Sequence, residues 1–420
     1  MNGAPMIATG RGPAMSFILI TVLIDMISVG LIIPVLPPLV GQFATDASDH
    51  AFWYGVVAFA FGIANFFGSP ILGRLSDRYG RRPVLLVGFM GLALNFFATA
   101  MAQALWVLVA VRLVGGAMQA NAAVAHAYVA DISSPEDRAR RFGLVGAMFG
   151  VGYVLGPVMG GVLGDIDLHL PFYVAGCLAV INTLYGWLIL PESLPAHKRT
   201  AFDWRKANPI SSLKGLASFA GVKPLLWIVA LSNLAQFILH MTWVLYCSFK
   251  FGWGPKENGW SLFVVGVMAV VVQGGLLKAL LKRSSPERLV QMGLVSSAIG
   301  YLAWGLATEG WMMMAIVVCN LLGFTVTASV QSLISNAASD REQGTAMGSV
   351  ASLTSAMAVA APVIGAALMG SVSHLPTTHW LVGLPFYACS ALQVISATIA
   401  IRHFSKRNLK TEGTAASASS

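Results

Sequence analysis

Asp25 lies inside an unbroken apolar run that starts at Met15. A charge near the centre of a bilayer costs about 3 kcal/mol or more and survives mainly in a cavity or a relay. The position predicts a proton site, or a partner for a cation. In a later run Arg112, Gln119 and His126 recur at heptad spacing, which puts them on one helix face over about 21 Å. An unperturbed imidazole titrates near pH 6.5, so His126 could exchange protons. Arg112 does not titrate and would act as a fixed charge for Asp25 or for an anionic substrate group. Asn233, Gln236, His240 and Trp243 repeat the device at steps of three, four and three, and Asn320, Thr327 and Gln331 share a third face. A lone residue of this kind also fits an interhelical hydrogen bond. Three polar stripes together predict the walls of a substrate cavity.

The elements that carry these residues follow from composition. The chain has 420 residues, 56% of them hydrophobic and only 10% charged, and its mean hydropathy is +0.73. A soluble core of this length cannot bury that much apolar surface. A bilayer core of about 30 Å needs about 20 apolar residues per helix. Runs of that kind extend from Met15 to Val40, Phe52 to Leu72, Pro83 to Met101, Leu105 to Val129, Phe142 to Leu163 and Pro171 to Leu190. After a polar interval come Pro224 to Phe249, Gly259 to Leu281, Leu289 to Ala307, Trp311 to Ser335, Thr345 to Met369 and Trp380 to His403. The runs are continuous, unlike the short alternating strands of a barrel. The reading is an all-α membrane protein of twelve transmembrane helices in two six-helix halves.

Basic residues orient it. Of the 26 lysines and arginines, all but Arg112, Lys250 and Lys256 fall at the N-terminus, the even-numbered loops, the central linker or the tail. The positive-inside rule then places both termini in the cytoplasm of a plasma membrane, a bacterial inner membrane by preference. The net charge of +9 is explained by topology; no basic groove or zinc pattern points to nucleic acid. Asp25 and the length of the first run argue against a cleaved signal peptide. The four cysteines all fall inside predicted spans and form no close pairs, which argues against a disulfide framework or metal site. With no phosphate-binding loop or sizeable soluble domain, neither an enzyme nor a cofactor is expected.

An offset of about 205 residues superposes the two sets of runs. Gly143 lands on Gly348, Pro157 on Pro362, and Gly160 on Gly365. The resulting organisation is an N-terminal half at 1–191, a cytoplasmic linker at 192–222, a C-terminal half at 223–404 and a disordered tail at 405–420. Between the second and third runs, Gly73 to Pro83 gathers four arginines around Asp77, read as a loop with Pro83 opening the next helix. Its copy at Lys278 to Arg288 is degraded, with Lys282 for Asp77 and Ser285 for Gly80. In the fifth run Gly152, Gly156, Pro157, Gly160 and Gly161 let two helices approach closely and bend one of them, suiting a sealing interface between halves.

These two motifs carry a resemblance. The Gly73 to Pro83 segment resembles the signature between helices two and three of the major facilitator superfamily, and Gly152 to Gly161 is similar to its antiporter motif. The stretch Asp25 to Pro38 resembles the first helix of its tetracycline-resistance type of drug:proton antiporter. The resemblance covers the chain from about Phe17 to Phe404. It implies a monomeric exporter that uses the proton gradient to exchange a small amphipathic drug for protons by alternating access. It further implies a conformational latch built from Gly73, Asp77, Arg78, Gly80, Arg81 and Arg82, with Asp131 pairing to a loop arginine.

Where that family places carboxylates in helices three and nine and a histidine in helix eight, this chain has Asn95, Ser297 and Ala269. Losing acids weakens the case for a cationic tetracycline chelate. Export of an endogenous metabolite and proton-coupled uptake stay open as alternatives.

Overall fold

The computed structural model describes residues 11–119, 121–134, 137–202, 223–337 and 343–418. Among these, eleven helices are long and apolar enough to cross a membrane, and a bent pair supplies a twelfth. The protein is a multi-span helical membrane protein. Residues 203–222 of the expected linker lie outside the described residues.

Two compact units divide the chain. The first comprises the described residues of Met1–Thr45, Val56–Pro209 and Trp253–Phe263. Its helices are α1 (Arg11–Ile32), the short α2 (Leu36–Gly41), α3 (Ala47–Tyr79) from Val56 onward, α4 (Arg81–Ala100), α5 (Leu105–Gln119), α6 (Asn121–Ile132), α7 (Arg138–Ile166) and α8 (Leu170–Ile189). Phe17, Val22, Leu85, Phe89, Val124 and Tyr128 are among the buried residues of its core. The first apolar run does not stay helical to Val40. Pro34, Pro37 and Pro38 remove successive backbone donors, so α1 stops at Ile32 and a turn leads into α2.

The second unit comprises the described residues of Asp46–Gly55, Ile210–Gly252 and Val264–Ser420. It holds α9 (Lys223–Phe251), α10 (Pro255–Val271) from Val264 onward, α11 (Leu277–Arg283), α12 (Pro286–Leu306), α13 (Gly310–Cys319), α14 (Val326–Ala337), α15 (Gln343–Val372) and α16 (Leu384–Ala418). A π-helical turn at Val272–Leu276 joins α10 to α11, where the adjacent Gly274 and Gly275 weaken the regular ladder. The run from Trp311 to Ser335 is not one straight helix. It bends by 53° at Asn320, and a 3₁₀ segment, Leu321–Thr325, links α13 to α14.

One further expectation is corrected. The charged segment is helical at both ends, because α3 runs to Tyr79 and α4 begins at Arg81, two residues before Pro83. Gly80 alone breaks the path, with φ +106. At the other end, α16 extends to Ala418.

Candidate functional site

The first cluster sits where α3, α6 and α8 end and α4 begins. Arg81 Nη1 lies 2.7 Å from Asp77 Oδ1, and its Nε lies 3.1 Å from Asp131 Oδ2. Arg81 Nη1 also donates to Ser76 Oγ at 2.5 Å, and Ser193 Oγ donates to Asp131 Oδ2 at 3.1 Å. The arrangement has an electrostatic reason. Asp77 and Asp131 stand in the last turns of α3 and α6, where the helix dipole disfavours an anion, and Arg81 opens α4, where it disfavours a cation. Each charge is poorly placed alone and compensates another.

Sequence reasoning missed Glu192. Its Oε1 accepts from the backbone N of Arg81 at 2.8 Å and from Leu194 N at 3.0 Å, so an acid beyond α8 caps the start of α4. Its Oε2 lies 3.8 Å from Arg199 Nη2. Thr200 N donates to the Asp77 carbonyl at 3.1 Å, covering the end of α3. One signal was available: an acid directly after Pro191 in an otherwise basic segment. Among the other segment residues, Arg82 Nη2 donates to the Trp187 carbonyl at 2.7 Å and Arg78 lies over the Tyr79 ring at 5.1 Å. Gly73 has open space where a side chain would be.

Gly152, Gly156 and Gly160 face α1. A Cβ on Gly156 would come within 2.6 Å of Gly30 Cα, and one on Gly30 within 2.8 Å of Gly156 Cα, so neither position has room for a side chain. A Cβ on Gly161 would instead come within 2.6 Å of the Pro255 carbonyl and 3.0 Å of Gly259 Cα. The Pro157 carbonyl faces the same glycine. In the second unit a Cβ on Gly55 would run into Ala366 Cβ and lie 3.3 Å from the carbonyl of the repeat mate Pro362, so this position too has no room for a side chain.

Within the first unit, Gln119 Nε2 donates to Asp25 Oδ2 at 3.4 Å. The three members of this stripe are not equally placed. Arg112 is buried, Gln119 is half-buried and His126 is exposed, with its ring edge-on to Phe142 and Phe149 of α7 at 5.8 and 5.9 Å.

In the second unit the structure brings Asn233, Thr327 and Gln331 together around a recess of about 20 Å³ between α9 and α14, room for about one water. Asn233 Nδ2 donates to Thr354 Oγ1 at 2.9 Å. Gln236 and His240 are exposed on the same helix. Trp243 is not a cavity residue. It is 3% exposed and lies edge-on to Trp304 and Phe386 at 5.1 and 6.4 Å, inside an aromatic core where its large ring gains more by burial. Asn320 also leaves its stripe. Five residues of 3₁₀ helix, at 3.0 rather than 3.6 per turn, rotate the following face by about 100°. Asn320 is buried and its Oδ1 accepts from Ser296 Oγ at 2.8 Å, away from Thr327 and Gln331. Asn95 and Ser297 are likewise buried, at 4% and 3% exposed.

A family model described as Major Facilitator Superfamily matches residues 18–362. Among curated proteins, the chain is 36% identical over 375 residues to the class C tetracycline resistance protein of Escherichia coli, covering 89% of this chain and 94% of that one. It is 33% identical over 376 residues to the class D protein of Salmonella ordonez, covering 89% and 94%. Among solved structures, the human organic anion transporter MFSD10 superposes with a TM-score of 0.68 at 22% identity, over 94% of this chain and 100% of that one. A bacterial homolog of the human lysosomal transporter Spinster superposes with a TM-score of 0.74 at 17% identity, over 96% and 99%.

Proposed function

We propose, from the premise that this chain belongs to the major facilitator superfamily, that it expels a small amphipathic drug in exchange for protons by alternating access. The observation that carries the reading is Asp25, a carboxylate within a membrane span, facing the Gln119 amide at 3.4 Å. In this reading Asp25 alternately holds and releases the coupling proton, and Gln119 holds its carboxylate in a fixed orientation. Arg112 supplies a fixed positive charge and His126 a second titratable group on the same span. Gln119, Asn233, Gln236, His240, Thr327 and Gln331 contribute polar contacts to the drug. The Asp77, Arg81 and Asp131 cluster, with Gly73, Arg78, Gly80 and Arg82 around it, is the latch that biases one conformational state. Gly152, Gly156, Pro157, Gly160 and Gly161 keep the helices they touch in close contact during the cycle.

The protein works as a monomer in a bacterial inner membrane, with both termini cytoplasmic and no cofactor beyond the proton gradient. Relatives named as tetracycline resistance proteins make tetracycline one member of the substrate panel. Asn95 and Ser297, buried where that family has acids, favour a drug that does not depend on those carboxylates.

The test is transport in proteoliposomes driven by an imposed pH gradient, across a drug panel that includes tetracycline. Wild type accumulates at least one drug, and Asp25→Asn loses gradient-driven accumulation while still exchanging drug for drug. Gradient-driven transport that survives in Asp25→Asn removes Asp25 from the coupling role. A wild type whose drug transport ignores the gradient overturns proton-coupled efflux itself.

A further inference from the structure

The bend at Asn320 leaves a groove of about 550 Å³ on the second unit, lined by α12, α13 and the α16 residue Ile401. Gln291, Val295, Ser296, Ile299, Asn320 and Ile401 mark its course. Its walls are largely apolar, and Ile299, 64% exposed, stands at its open side. Of its polar side chains, Ser296 and Asn320 bond to each other. Water has little to hold it there. This face belongs to segments that cross the membrane, so hydrocarbon bathes it and must fill a void that protein side chains leave open.

Length and charge narrow the occupant. From Gln291 to Ala303 the groove follows one helix for about 18 Å at 1.5 Å per residue, close to the roughly 15 Å depth of a single leaflet. At its Gln291 and Ile401 end, Arg288 lies one helical turn before Gln291 and Arg402 immediately follows Ile401, both exposed. Glu287 is the acid beside them, half-buried in the first turn of α12 where it favours that helix start. Two exposed arginines at the membrane boundary, beside an apolar groove one leaflet deep, match a phosphate headgroup with an acyl chain below it. We infer that this groove is a specific site for an anionic phospholipid, with the acyl chain along α12 and α13 and the headgroup at Arg288 and Arg402.

The test uses the full chain in phosphatidylcholine nanodiscs carrying a small fraction of phosphatidylglycerol with a diazirine in its acyl chain, followed by peptide mapping. Cross-links concentrate on Met292 to Ala303 and Ile316 to Cys319, at about tenfold lower mole fraction than a diazirine phosphatidylcholine requires. Arg288→Gln with Arg402→Gln, both at exposed positions, removes that preference. Ala303→Phe, which fills the groove, removes the cross-links with the arginines intact. Equal labelling by both lipids, or labelling spread evenly over all outer helix faces, overturns the site. Absent cross-links together with a dimer in native mass spectra assign the face to a second copy of the chain and also overturn it. The readout does not involve transport, so it stands apart from the outcome for drug efflux.

Discussion

Arg81 Nε lies 3.1 Å from Asp131 Oδ2, an ion pair that ties the start of α4 to the end of α6 across 50 positions of sequence. Isolated surface ion pairs contribute little. This one differs because Arg81 is 10% exposed at its side chain and each partner stands at the unfavourable end of its own helix. Asp131→Asn is expected to lower drug flux by about tenfold at unchanged membrane abundance, the effect of a shift of about 1.4 kcal/mol between conformational states. Arg81→Lys is not expected to restore flux, because one ammonium cannot reproduce a guanidinium that serves Asp77, Ser76 and Asp131 at once. Flux per transporter in proteoliposomes, with abundance measured alongside, checks both.

Gly80 adopts φ +106, a conformation that a side chain rarely accepts, and Glu192 occupies the space a Cβ would need. Gly80→Ala is expected to lower stability by about 2 kcal/mol, from backbone strain together with a displaced cap. Part of that loss is shared with Glu192→Ala, so the double variant should lose less than the sum of the singles. Thermal unfolding in detergent of the four proteins gives the coupling directly. Strict additivity would mean that Glu192 does not hold this turn.

The glycines of α7 are not equivalent. Gly156 touches Gly30, whereas Gly143, Gly146 and Gly150 have open space at the Cβ position. Gly156→Leu should therefore prevent α1 and α7 from approaching and cut folded yield severely, while Gly150→Ala leaves yield and flux close to wild type. Fluorescence-detected size exclusion separates the two outcomes.

Trp243 and Gln236 lie on one helix and should respond in opposite ways. Trp243→Ala empties an aromatic core and costs about 3–5 kcal/mol of stability. Gln236→Ala changes an exposed group, so melting stays put, and any effect appears as an altered order of preference among drugs. Unfolding scans read beside transport profiles distinguish them.

Much of the fold was legible in the chain because the bilayer restricts it so strongly. A run of about 20 apolar residues can satisfy its backbone only as a helix, which is why the spans are read from hydropathy alone. Their irregularities were less accessible. Pro34, Pro37 and Pro38 announce the end of α1, but nothing local at Asn320 announces a 53° bend, which accompanies its bond to Ser296 on a neighbouring helix.

Side-chain roles divide along the same line. Asp25 is conspicuous in sequence because an acid in an apolar run is costly wherever that helix packs. A spacing of four puts Thr327 and Gln331 on one face, since both lie on one regular helix, and both line the same recess. Spacing fails for Asn320, which precedes the 3₁₀ segment, and for Trp243, whose partners Trp304 and Phe386 come from distant parts of the chain. The sequence by itself determined the helices, their number and the residues too polar to face hydrocarbon, because these depend on local composition and on the membrane. Only the tertiary structure decided that Glu192 caps α4, that Arg81 serves two carboxylates and that Trp243 is core, because each depends on which distant groups arrive within about 3–5 Å.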